Sequence, residues 1–151
     1  MGIDHKIRAA QPGDREGLTG CIKSAYSIYQ NEIPDLPDVA AGIAVAIVEK
    51  SVWVVTDREI VVGGMILDID TDYLVLENIA VHRDHGRKGV GKLLIAHCES
   101  ECRRLKFAEI RLSTHEAMPE NIALYQHLGW CITQKTGNKV HMTKKILASE
   151  I

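Results

Sequence analysis

Neither sign of charge dominates this sequence, and no apolar run in it is long enough to span a bilayer. Its 18 Lys and Arg stand against 20 Asp and Glu, with a pI near 6.4. There is thus no global basic field to hold nucleic acid, and any anion must be gathered locally. The longest apolar stretch, Ala40 to Val48, is about half of what a membrane span needs. The amino terminus lacks the positive, apolar, small-residue order of a signal peptide, and Lys6 stands where a myristoylation motif beginning at Gly2 requires Ser or Thr. A cytoplasmic protein without membrane or nucleic-acid partners is expected.

Cysteine chemistry is also thin. Cys21, Cys98, Cys102 and Cys131 show no CxxC spacing and sit in apolar surroundings, which reads as reduced, buried thiols. Cys98 and Cys102 share a helical face beside His97, half of a metal set at most; free cysteines in such a stripe pack, and no metal is expected.

What is present is the composition of one ordinary domain: 151 residues, 46% apolar, with no repeat, low-complexity tract or linker to divide residues 1–151. "KIRAA" reads as a first strand, followed by a helix through "GLTGCIKSAYSIY" with Asp14 as its expected cap. Two prolines make "NEIPDLPD" irregular, and a second helix is expected over Val39 to Glu49. "SVWVVTDREIVVGGMILDID" carries two β-rich runs around "DRE", and "YLVLENIAV" is a third. Val90, Leu93, Leu94, Cys98, Cys102 and Leu105 then recur at helical spacing. "AEIRLS" is a strand, "PENIALYQHLGW" a short helix opened by Pro119 and closed by Gly129, and "CITQK" with "VHMTKK" a hairpin around "TGN". The order β-α-α-β-β-β-α-β-α-β-β has few crossovers, so an α/β (α+β) fold with a mixed sheet is expected.

The segment "HGRKGVGKLL" carries the chemistry. A strand that runs into a glycine-rich turn and then a helix sets backbone N–H groups at the positive end of a helix dipole. Gly86, Gly89 and Gly91 permit positive φ and close approach, while Arg87, Lys88 and Lys92 add charge, so a diphosphate is the expected guest. A P-loop is excluded because Leu93 follows Gly91-Lys92 where a Mg²⁺-binding hydroxyl belongs. A dinucleotide fold is disfavoured because the glycines come late, after successive strands.

Here the chain resembles the GNAT acetyltransferase superfamily. "NIAVHRDHGRKGVGKLLI", Asn78 to Ile95, is similar to its acetyl-CoA signature [Q/R]xxGx[G/A], and "ENIALYQHLGW" to its second cofactor segment. One departure stands out: Gly86 occupies the position of the usual Gln or Arg, with Arg87 following. The resemblance implies a mostly antiparallel central sheet of about six to seven strands flanked by about four helices. It also implies acetyl-CoA as co-substrate and direct acetyl transfer to the primary amine of a small molecule or protein. Gly86, Arg87, Lys88, Gly89, Val90, Gly91 and Lys92 would then hold pyrophosphate, the backbone of Ile79 and Val81 the pantetheine arm, and Asn121 another part of CoA. Tyr125, the tyrosine of "LYQHLGW", would protonate the leaving thiolate.

Glu77 is the expected base: read by strand alternation it shares a face with Val75, Ile79 and Val81, and a carboxylate among apolar residues is satisfied or functional. Glu116 is the alternative, with His115 beside it, and Glu32, Asp35 and Asp38 are placed to attract a cationic amine. A non-catalytic acyl-CoA sensor would need the loop but neither Tyr125 nor Glu77; both are present. Exposed strand edges are compatible with a homodimer.

Overall fold

The computed structural model describes residues 5–27, 42–86 and 89–146. Arg87, Lys88 and the acidic segment holding Glu32, Asp35 and Asp38 lie outside the described residues. The elements run β1 (His5–Ala9), α1 (Arg15–Tyr26), α2 (Ile43–Glu49), β2 (Ser51–Asp57), β3 (Ile60–Ile69), β4 (Leu74–Val81), α3 (Val90–Arg104), β5 (Glu109–His115), α4 (Pro119–His127), β6 (Cys131–Thr136) and β7 (Lys139–Lys145). The order expected from the sequence is the order found. The helix expected from Val39 is described from Ile43, entered through left-handed Gly42 at φ 79°.

The strands form one seven-stranded sheet in the order β1-β2-β3-β4-β5-β7-β6. Every neighbouring pair is antiparallel except β4 and β5, which run parallel and pair only at Leu74 with Ile110 and Val75 with Arg111. α3 makes the crossover between those two strands, as a parallel connection requires. Beyond Val75 they part, and the sheet is open at its centre.

Each face of the sheet carries its own core. On one, Leu94, Cys98 and Cys102 of α3 and Tyr125 of α4 pack on Met65, Leu67, Leu74, Leu76 and Ile110. On the other, Leu18 and Ile22 of α1 and Ile43 and Ala46 of α2 pack on Val52, Val54, Ile66 and Ala80. A fully buried Leu contributes about 1.5–3 kcal/mol, so α1 and α3 are held chiefly by these stripes. Two glycines of β3 let the helices come close: a Cβ on Gly64 would fall 2.4 Å from Leu18 Cδ1, and one on Gly63 would fall 2.7 Å from Val90 Cγ1.

Asp14 does not cap α1. Its carboxylate accepts from the Arg8 guanidinium at 2.7 and 3.0 Å and from the Gln11 N–H at 2.7 Å, which ties β1 to the 3-10 turn before the helix. The Arg8 bonds hold the Asp14 carboxyl below the usual carboxylate range. Three thiols are buried as expected, and burial pushes Cys21 up to about 11 and Cys98 up to about 12. Cys131 departs from that expectation: it begins β6, an edge strand with every residue exposed. No described helix is long and apolar enough to cross a membrane.

Candidate active site

The parting of β4 and β5 makes a cleft of about 330 Å³. β4 from Leu76 to Val81 forms one wall and Leu112 to Thr114 of β5 the other; Gly91 and Ile95 of α3, Asn121, Leu124 and Tyr125 of α4, and Ala25 and Tyr26 of α1 complete it. Of the described residues expected at the site, Glu77, Ile79, Val81, Gly91, Asn121 and Tyr125 are brought together here.

β4 reaches the cleft through a bulge. Leu67 faces Leu76 and Ile66 faces Asn78, so Glu77 is the extra residue on its strand. The bulge reverses the alternation: Leu74 and Leu76 before it, and Ile79 and Val81 after it, all meet the α3 core. The shared face read from the sequence for Glu77 with Val75, Ile79 and Val81 is therefore broken at Glu77 itself. The carboxylate is half-exposed, not set among apolar residues, and both its oxygens accept from Lys50 Nζ, at 2.9 and 2.7 Å. Lys50 was not foreseen, because it precedes β2 and meets Glu77 only once β2, β3 and β4 are assembled.

At the far end of β4 the chain passes through the 3-10 turn Arg83–His85 to the glycine-rich loop. That turn is moored to the end of α1 by Arg83 N–H to Ser24 Oγ at 3.1 Å and Arg83 Nη1 to Ser27 Oγ at 3.2 Å. Gly89 is the residue before α3, left-handed at φ 85°, and among the described residues no side chain caps the helix start. The N–H groups of the first turn, at Val90, Gly91 and Lys92, stand at the positive end of the helix dipole. Of the three glycines that permit positive φ, Gly89 alone adopts it: Gly86 is at φ −63°, and Gly91 lies within the helix. A Cβ at Gly89 would meet nothing within 4 Å, so the backbone twist and not crowding calls for glycine there. Lys92 is exposed on the helix beside the loop.

α4 fixes the other side. Pro119 opens it, Trp130 N–H bonds Tyr125 O at 2.9 Å behind it, and Lys144 Nζ bonds Leu128 O at 2.7 Å and Glu99 Oε2 at 2.8 Å. This clamp holds the helix end to β7 and α3. Tyr125 is 8% exposed, its ring set edge-on to Trp130 at 5.7 Å. Burial raises its phenol far above the ordinary tyrosine value, with Tyr26 and Cys98 adding to the effect, so it is a hydroxyl donor throughout the physiological range. Tyr26, itself raised by burial, is a cleft residue that the sequence did not single out within its first helix.

Glu116 and His115 are not among the described cleft residues. Glu116 pairs with Lys135 Nζ at 2.6 Å, and His115 Nδ1 accepts from the Ala117 N–H at 3.0 Å. Glu116 thus turns toward β6, while the His115 ring bonds within its own turn.

No curated protein matches the sequence. Among solved structures the chain is similar to the PaiA N-acetyltransferase of Thermoplasma acidophilum, crystallised in complex with coenzyme A. That likeness has TM-score 0.85 at 17% identity, over 94% of this chain and 99% of that one. It is also similar to the ribosomal-protein-S18-alanine N-acetyltransferase of Escherichia coli, with TM-score 0.79 at 22% identity over 97% of each chain. At these identities the likeness establishes the fold. The family model for the acetyltransferase (GNAT) family matches residues 23–130, which takes in the last turn of α1, the β4 bulge, the glycine-rich loop and α4. The chain belongs to the GNAT acetyltransferase family, the acetyl-CoA-dependent acyltransferases.

Proposed function

We propose that the protein transfers the acetyl group of acetyl-CoA directly to a primary amine in the β4–β5 cleft. The observation that carries this reading is the joining of three features in one cavity: an uncapped α3 start, a wall of β4 beyond its last pair with β5, and a buried phenol. The fit to the co-substrate is chemical. Main-chain N–H groups at Val90, Gly91 and Lys92 suit a pyrophosphate and tolerate Gly86 in place of a signature side chain. Ile79 and Val81, beyond the last β4–β5 pair, offer main-chain groups to an extended amide-bearing arm, as an added strand would use them. Asn121 adds a side-chain amide on the α4 side. Arg87, Lys88 and the exposed Lys92 supply cationic charge around the phosphates.

Acetyl-CoA supplies an acyl group activated as a thioester. The chain's own residues orient it, keep water from it and manage protons. Tyr125 is the donor to the departing sulfur. Its raised value keeps the phenol protonated, so that a proton is available where the sulfur departs. Glu77 attracts a cationic amine to the cleft mouth and serves as its base, directly or through water, although Lys50 already engages both oxygens.

The first test is thermal denaturation with acetyl-CoA, ATP or NAD at equal concentration, since a ligand of the native state raises Tm by mass action. A rise with acetyl-CoA alone supports the reading, and a rise with ATP or NAD alone overturns it. Tyr125→Phe should lower kcat by about 10²-fold with CoA affinity retained. Unchanged turnover would remove the acid role.

A further inference from the structure

The cleft is not the only cavity at the centre of the sheet. On the opposite face, a polar groove of about 530 Å³ runs over β5, β7 and β6, lined by Tyr73, Arg111, Ser113, Gln134 and His141 among others. Leu112 and Ser113 line both cavities, and Leu112 belongs to the core beneath α3. Ser113 is therefore the one polar side chain among the described residues common to cleft and groove. Its Oγ lies 2.7 Å from His141 Nδ1. The two residues face each other directly across the antiparallel β5–β7 ladder, so the backbone register itself maintains the contact.

We propose that Ser113 and His141 form a proton exit from the cleft to the open face of the sheet, an inference that rests on the transferase reading above. An alkylammonium cannot attack a carbonyl until it loses a proton. Glu77 takes one only by yielding part of its bonding to Lys50. A serine alone is no base, but Ser113 backed by an imidazole passes a proton on. The ammonium gives a proton to Ser113 Oγ as the Ser113 hydroxyl proton moves to His141 Nδ1, leaving a free amine and an imidazolium. The amine lone pair then forms the C–N bond as the C–S bond breaks, the sulfur takes its proton from Tyr125, and the second proton, released from the new amide nitrogen, restores the Tyr125 phenol. Imidazole is the side chain whose ordinary titration lies nearest neutrality, so it accepts and releases a proton at little cost.

The surroundings favour release. Arg111 and Lys145 face the groove as cations, and both pair with Glu109, the one carboxylate among them. Tyr73 lies under Arg111, with the guanidinium carbon 3.7 Å from its ring centre, and its hydroxyl is bonded to Asp70. His115 and Lys139 pair two residues further along β5 and β7. The His141 ring lines this open groove, where water can take the proton. His141 is a positioning and relay residue, and Ser113 is the group that meets the acceptor.

The test uses the full chain, acetyl-CoA, and two probe amines followed by thiol release: propylamine, protonated at neutral pH, and methoxyamine, which is not. Only propylamine needs a base. Ser113→Ala and His141→Asn should each lower the propylamine-to-methoxyamine ratio of kcat/KM by about 10²-fold at pH 7, with Ser113→Thr restoring it. His141→Asn should also remove the acidic limb from the propylamine pH profile. Equal losses with both amines would reduce the pair to a structural role and overturn the proposal. A readout free of any acceptor is the ¹⁵N NMR titration of His141: Ser113→Ala should shift its midpoint and tautomer balance, and an unmoved titration overturns the proposal. Calorimetry of the unmodified chain with CoA separates the two failures. Absence of binding there overturns the transferase reading itself, whereas binding with an unmoved amine ratio overturns the proton exit alone.

Discussion

The two halves of the sheet are built differently. β1 to β4 form a continuous antiparallel ladder with helices packed on both faces, so that Val54, Val55 and Leu67 are wholly buried. In the other half β5 and β7 bury Ile110, Leu112, Val140 and Met142 beneath α3 and α4, while their alternate residues, with Thr133 and Gln134 of the exposed β6, line an open polar groove. Only two residue pairs join the halves. A sheet completed across that seam would bury its backbone groups in a ladder; one left open keeps them available at a place where helix start, phenol and polar side chains converge. The covered half supplies rigidity, the half-open one supplies access, and the chemistry lies between them.

That contrast can be tested on a single face. Leu18 of α1 is fully buried over the first half, and its Cδ1 lies against Gly64. Leu18→Ala should cost about 2–5 kcal/mol, from lost transfer energy plus the cavity left behind. Thr143 is on the same face in the second half, in the groove. Thr143→Ala should change stability by no more than about 0.5 kcal/mol. Urea denaturation of the two variants decides it, and comparable losses would mean that the groove face is covered in solution.

A smaller effect tests how the first half is tied at its edge. The Asp14 carboxylate is buried under Arg8, which is itself nearly half exposed. Asp14→Ala should cost about 1.5–3 kcal/mol, the range for hydrogen bonds to a charged group. The sign with pH follows from the depressed folded value. The contribution is present in full above the unfolded carboxylate range near pH 4 and is lost as pH falls through the lower folded value. The difference in stability between parent and Asp14→Ala should therefore shrink on acidification and stay flat from pH 5 to 8.

The element order and the glycine-rich loop were legible because they are local: β-branched runs, helical spacing from Val90 to Leu105, Pro119 and Gly129 at helix ends. The cleft was only half legible. Tyr125 and Gly89 announce themselves by motif, whereas the bulge at Glu77 comes from a register between β3 and β4 that no periodicity within β4 records. Reading alternation straight through it placed Glu77 on an apolar face. The partner that redefines it, Lys50, is 27 positions away. His141 and Ser113 were opaque for the same reason: a histidine in a polar strand acquires meaning only from the residue opposite. Asp14 shows the limit even for local rules, since the Arg8 guanidinium outcompetes the helix start for its oxygens.

The smallest effect comes from two of the hairpins, one taken from each half. β6–β7 turns through Gly137 at φ 60°, where glycine carries no Cβ penalty. β2–β3 turns in two residues through Arg58 at φ 53° and Glu59 at φ 74°, both left-handed and neither glycine. Two successive positive φ values make this the turn whose twist matches the flanking strands, and Asn-Gly is the pair that adopts it most readily. The first half therefore folds against its own turn, a cost its long ladder and double covering absorb. Arg58→Asn with Glu59→Gly should raise stability by about 1–2 kcal/mol, seen as a higher Tm with an unaltered urea m-value. Gly137→Ala should lower stability by about 1 kcal/mol. Loss of stability in the first variant would mean that the Arg58 and Glu59 side chains hold the turn by contacts stronger than the strain of their backbone.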